Sequence, residues 1–112
     1  MDNHIRTWLK DITQAIQEIN SFLPVKKDFS DFQQDIKTKK AIERNIEIIG
    51  EAMSRILKTD PDFPITQSRK IVDTRNRIVH GYDSVSEEII WAIVIQDLPP
   101  LEKQISKLIG KV

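Results

Sequence analysis

The apolar positions of this chain recur mostly at spacings of three and four, the pattern of helices with one buried face. Ile5, Trp8, Leu9, Ile12, Ala15, Ile16, Ile19, Phe22 and Leu23 form the first stripe. They predict a helix from about Asn3 to Phe22, capped by Asp2 or Asn3 and stopped at Pro24. After a polar link, Ser30 and Gln33 read as a capping box that opens the longest helix. Its stripe is Phe32, Ile36, Ile42, Ile46, Ile49, Met53 and Ile56 or Leu57, and it is weakest at Lys37 to Lys40. Gly50 interrupts it. A mid-helix glycine costs about 1 kcal/mol against alanine, so close approach of another helix is the expected compensation.

Pro61 and Pro64 mark a loop, because neither continues a helix. A third helix is expected from Thr66 or Gln67 to His80, with Gly81 as its C-terminal cap. Ser84 and Glu87 form a second capping box and predict a helix from near Val85. Its run Ile89 to Ile95 is apolar all round. β-Branched residues favour strands, but a lone strand has no partner here, so a helix buried on several sides is expected. Pro99-Pro100 should kink or end it, and Leu101, Ile105, Leu108 and Ile109 carry the stripe to Gly110. The predicted architecture is all-α: an up-down bundle of four or five helices, in one domain over residues 1–112. Its all-round apolar helix makes a homodimer plausible.

Composition narrows the function. Seventeen Lys and Arg balance 17 Asp and Glu, which argues against nucleic-acid binding through bulk charge, so any RNA contact must be local. The chain has no cysteine and two histidines, His4 and His80, which excludes thiolate and histidine-rich metal sites and cysteine nucleophiles. No apolar stretch reaches the ~18 residues of a membrane span, and the N-terminal segment lacks a signal-peptide pattern. A soluble, cytoplasmic protein is expected. No glycine-rich phosphate loop is present.

The unusual segment runs from Asp73 to Asp83, with Arg75, Asn76, Arg77, His80 and the only tyrosine, Tyr82. Asn76 and His80 are four apart and share a helical face. Arg75 and His80 are offset by roughly 140°, so one straight helix does not aim both at one atom. Either the helix unwinds at Gly81, or two copies of it face each other across a two-fold axis. Histidine exchanges protons near neutral pH, and arginine offers a planar donor fork for phosphate. These are the parts of metal-free RNA cleavage. A plainer reading pairs Arg75 with Asp73, Asp83 or Glu51, makes His80 a helix cap, and leaves Tyr82 as a half-buried ring. Lys37, Lys39 and Lys40 read as a solvated face, His4 as a surface residue, and Glu51 as an ion-pair partner of Arg55.

Arg75-Asn76-Arg77-Ile78-Val79-His80-Gly81-Tyr82 resembles the R-x4-H-x-Y signature of the HepT-like toxins, a branch of the HEPN superfamily. Ala41 to Ala52, ending in Ile49-Gly50-Glu51-Ala52, resembles that family's long helix. Ile90-Trp91 through Asp97-Leu98-Pro99-Pro100-Leu101 resembles its last helix. The resemblance covers nearly the whole chain. It implies a HEPN-like homodimeric bundle that cuts RNA without metal or other cofactor, leaving a 2′,3′-cyclic phosphate. Arg75 and His80 would be the catalytic pair, with Asn76 and Arg77 in support. It further implies a toxin–antitoxin pair, in which a minimal nucleotidyltransferase of the MNT type transfers AMP to Tyr82. The alternative is a non-catalytic subunit that binds a nucleotidyltransferase, its nucleotide or its substrate.

Overall fold

The structure, a computed structural model, describes residues 2–65, 68–79 and 86–110. Helix α1 spans Asn3–Phe22 and is capped by Asp2, whose carboxylate accepts from the N–H groups of His4 (2.7 Å) and Ile5 (3.1 Å). It ends at Leu23, one residue before Pro24, which disfavours helical backbone in its predecessor.

The expected long helix is two helices, and Ser30 caps neither. Asp28 caps a short α2 (Phe29–Gln34) by accepting from the Asp31 N–H at 3.1 Å. Asp35 then leaves the helical backbone and caps α3 (Ile36–Thr59). Its carboxylate takes the Thr38 N–H at 3.1 Å and the Thr38 hydroxyl at 2.6 Å. Those two bonds hold the Asp35 carboxyl below its usual range, the hydroxyl being the larger cause. A carboxylate accepts more strongly than the Ser30 hydroxyl, and two are available at the right register.

Helix α4 (Ser68–Val79) follows the proline loop. Thr66, Gln67, His80 and Gly81, its expected ends, lie outside the described residues. Ser84 and Val85 lie outside them too, and the N-cap of the next helix is Ser86, whose hydroxyl accepts from the Ile89 N–H at 3.2 Å. Helix α5 (Glu87–Ala92) therefore starts two residues later than expected. It passes without a break into a wide π turn, Ile93–Asp97, and on into α6, Leu98–Gly110. The Leu98 N–H reaches back five residues to the Ile93 carbonyl. Pro99 and Pro100 have no N–H to give to the turn before them, and the widened turn accommodates them without ending the rod. The apolar run Ile89 to Ile95 is helical, as expected, but not buried on every side. Ile90, Ile93 and Val94 are buried, while Ile95 is 37% exposed.

Among the described residues the architecture is all-helical, the HEPN-like bundle expected. Helices α1 and α3 run antiparallel: Phe22 shares a crevice with Thr38, and Trp8 shares one with Ala52. Leu9, Ile12, Ile16 and Ile19 from α1 enter one core with Ile42, Ile46, Ile49, Met53 and Ile56 from α3. Ile90, Ile93, Leu98, Leu101 and Ile105 of the last rod complete it. Each such side chain contributes about 1.5–3 kcal/mol by leaving water. The ring of Trp91 joins α2 to α5, 5.0 Å from Phe32 and 6.0 Å from Phe29. A second tie is the ion pair Lys39–Glu87 at 2.8 Å, which takes Lys39 out of the solvated-face reading. Lys39 holds the Glu87 carboxyl below its usual range by that hydrogen bond. No helix of the described residues is long and apolar enough to cross a membrane.

Candidate active site

Helix α4 has little apolar surface and one fully buried aliphatic side chain, Ile71. It carries Arg69, Lys70, Arg75 and Arg77, four of the chain's 17 cations, against Asp73, one of its 17 acids. It still lies close along α3, and Gly50 explains how. A side chain built on Gly50 would collide with Cβ of Arg75, come within 2.9 Å of its Cγ and within 3.2 Å of the Ile71 carbonyl. The missing side chain thus lets α4 seat itself on α3, and the first carbons of Arg75 fill the gap.

The Arg75 guanidinium emerges from this contact half-buried. Its Nη1 donates to Asn76 Oδ1 at 2.9 Å, and its buried Nε has no acceptor among the described residues. The plainer reading of Arg75 as half of an ion pair fails for the partners in view. Glu51 is occupied by Arg55 at 2.7 Å, as its i,i+4 spacing suggested, and Asp73 is exposed and forms no ion pair with Arg75. Asp83 lies outside the described residues. A guanidinium held by its stem and meeting no carboxylate among the described residues is suited to a phosphate, which fits its planar fork.

The structure brings Arg75 and Asn76 together. Arg77, two residues on, lies about 200° round the helix from Arg75. It is exposed and borders a separate cleft with Lys70, Thr74 and Ile89. His80 and Tyr82 lie outside the described residues. His4 stacks on Trp8 at the exposed start of α1, with ring centroids 5.9 Å apart.

One supporting feature escaped the sequence reading. Asp97, the last residue of the π turn, is buried, and its Oδ2 lies 2.9 Å from Lys70 Nζ of α4. The ammonium sits off the hydrogen-bonding direction of that oxygen, so the contact is an ion pair rather than a directed bond. It links the last rod to the helix that carries Arg75. The available signal was an acid placed between an apolar run and Leu-Pro-Pro.

The family model described as "Ribonuclease HepT-like" matches residues 12–108, which include the Gly50 contact, all of α4 and the π turn. The chain belongs to the HepT-like ribonuclease family. A protein of Thermococcus cleftensis named "Probable ribonuclease HepT" is 34% identical over 107 residues, covering 92% of this chain and 94% of that protein. A Methanocaldococcus jannaschii protein named as a candidate RNase is 32% identical over 106 residues, covering 94% of this chain and 87% of its own. Another so named, from Caldanaerobacter subterraneus subsp. tengcongensis, is 33% identical over 87 residues, covering 74% and 75%. No solved structure matches the chain. The HepT-like family assignment agrees with the resemblance drawn from the signature and the two flanking segments.

Proposed function

We propose that the chain is a metal-independent endoribonuclease in which Arg75 and His80 act on one phosphodiester. The observation that carries this reading is the Arg75 guanidinium, anchored over Gly50 and free of any carboxylate among the described residues. A histidine base takes the 2′-OH proton, and the oxygen attacks phosphorus while arginine stabilises the charge on the pentacoordinate phosphate. The 5′-oxygen leaves with a proton. The products carry a 2′,3′-cyclic phosphate and a 5′-OH. Asn76 steadies Arg75 by accepting from Nη1, and Arg77 supports the strand.

The working unit is a homodimer that pools Arg75 and His80 from two copies of α4. The protein acts in the cytoplasm as the toxin of a toxin–antitoxin pair. Its antitoxin is a minimal nucleotidyltransferase that transfers AMP to Tyr82. The added bulk and negative charge, two residues from His80, would exclude the phosphate of the substrate.

The test is cleavage of total RNA and transfer RNA by purified, antitoxin-free protein in excess EDTA, wild type beside His80→Ala. Cleavage by wild type alone, with cyclic phosphate ends, is the expected result. If neither protein cuts and mass spectrometry finds Tyr82 unmodified, the chain is instead a non-catalytic subunit docking a nucleotidyltransferase. The balanced 17 and 17 charges favour that second reading.

A further inference from the structure

We infer that the cleft between the end of α3, the 60–65 loop and the first half of α4 binds one unpaired nucleotide of an RNA strand. The base lies on Phe63 and the flanking phosphates on Lys58 and Arg69. The identity of the strand rests on the ribonuclease reading; the cleft itself rests on its own chemistry. Its volume is about 420 Å³, within the roughly 300–1,000 Å³ of small-ligand sites. Leu57, Phe63 and Val72 give it an apolar lining, and Lys58 and Arg69 stand over it. Both cations are exposed, and neither forms an ion pair among the described residues. Ser54 and Asp73 offer hydrogen-bonding groups for a base edge.

Phe63 is set up as a platform. Pro61 and Pro64 fix the backbone on either side of it. The Phe63 N–H donates to the Asp60 carbonyl at 3.0 Å, and the Ile65 N–H donates to the Phe63 carbonyl at 2.8 Å. The Asp62 N–H is held by the Asp60 carboxylate at 3.1 Å. The ring is half-buried and stacks on no other ring among the described residues. An aromatic face flanked by unpaired cations is the pairing that holds single-stranded nucleic acid. The cleft shares a helix face with Asn76, the residue that accepts from Arg75. Arg69 and Asn76 are seven residues apart on one face of α4, about 10.5 Å of helix rise. That is roughly three steps of a stacked strand at about 3.4 Å each.

The test measures binding of a short 2′-O-methyl oligouridylate, which has no free 2′-OH and cannot be cut, by fluorescence anisotropy. Phe63→Leu keeps an apolar side chain and removes the ring; Lys58→Gln and Arg69→Gln change exposed residues. Phe63→Leu should weaken binding about tenfold. Each charge removed should lower the slope of log affinity against log salt by about 0.7. On cleavable RNA the three variants should raise KM and leave kcat unchanged. Unchanged affinity in all folded variants, or no binding by wild type, overturns the proposal. If Phe63→Leu does not fold, the two glutamine variants decide. Wild-type cleavage with unchanged variants sinks the cleft alone. Binding that depends on Phe63 without any cleavage sinks the ribonuclease reading and leaves the cleft standing.

Discussion

Helix α3 meets α1 on one side and α4 on the other, and the two contacts are built differently. Toward α1 the material is aliphatic and deep: Leu9, Ile12, Ile16 and Ile19 on one helix, Ile42, Ile46, Ile49 and Met53 on the other, all fully buried. Toward α4 the contact is a gap filled by the stem of an arginine, with Ile71 the only fully buried aliphatic side chain that α4 supplies. The first contact carries stability. The second gives up apolar burial to hold a half-buried cation at a fixed place, on a helix that the Lys70–Asp97 pair also ties to the last rod. A protein this small has few places to fix a charge that meets no carboxylate among the described residues, and a glycine opposite it is an economical one.

The largest expected effect lies on the α1 side. Ile12→Ala should destabilise the fold by about 2–5 kcal/mol, read by thermal or urea unfolding, and leave cleavage per folded molecule unchanged. A loss of cleavage without a loss of stability would dissolve the distinction between the two contacts. Gly50→Ala should lower cleavage as well as stability. Alanine gains about 1 kcal/mol of helix propensity, but its methyl must displace the base of Arg75, and overpacking costs about 1–3 kcal/mol. Neither Cβ of Arg75 nor the Ile71 carbonyl can swing aside, so the net change should be a loss of about 2 kcal/mol or more, and cleavage should fall sharply because α4 must shift. Normal cleavage by this variant would show that Arg75 does not depend on the close contact.

The smallest effect concerns the tie between α3 and α5. The Glu87 carboxyl is held below its ordinary value of 4.5, so it adds stability above that value and loses it as the pH falls below. Wild type should melt above Glu87→Gln at neutral pH, and the difference should shrink toward zero in acid. A difference that stays constant with pH would mean the Lys39 contact is not what lowers the carboxyl.

The two contacts also differed in how far the sequence revealed them. The α1 and α3 stripes repeat with helical period, and burial follows that period, so their cores were legible position by position. Gly50 was legible as a close approach, but nothing in its spacing named Arg75 as the group it admits. The helix starts were less legible because several cap candidates compete within a few residues. Asp28 and Asp35 won over Ser30, and Ser86 is the observed cap beyond Ser84. The π turn was hidden for another reason. A Pro-Pro pair ordinarily reads as a stop, and only the five-residue reach from Leu98 to Ile93 shows the helix passing through it. Asp97 is buried by that turn, which explains why its link to Lys70 could not be read from the chain.

The central claim is that α4 packs the Arg75 stem over Gly50 so that its guanidinium is presented for chemistry. The direct measurement is metal-free RNA cleavage by wild type, Arg75→Lys and Arg75→Ala, with thermal unfolding of each in parallel. Arg75→Ala should lose about 10²- to 10³-fold in rate, far more than the modest fall in melting temperature caused by losing its packed stem. Arg75→Lys, keeping the charge but not the planar fork, should fall between them. Full cleavage by Arg75→Ala, or a loss of activity matched by a loss of folding, would contradict the account.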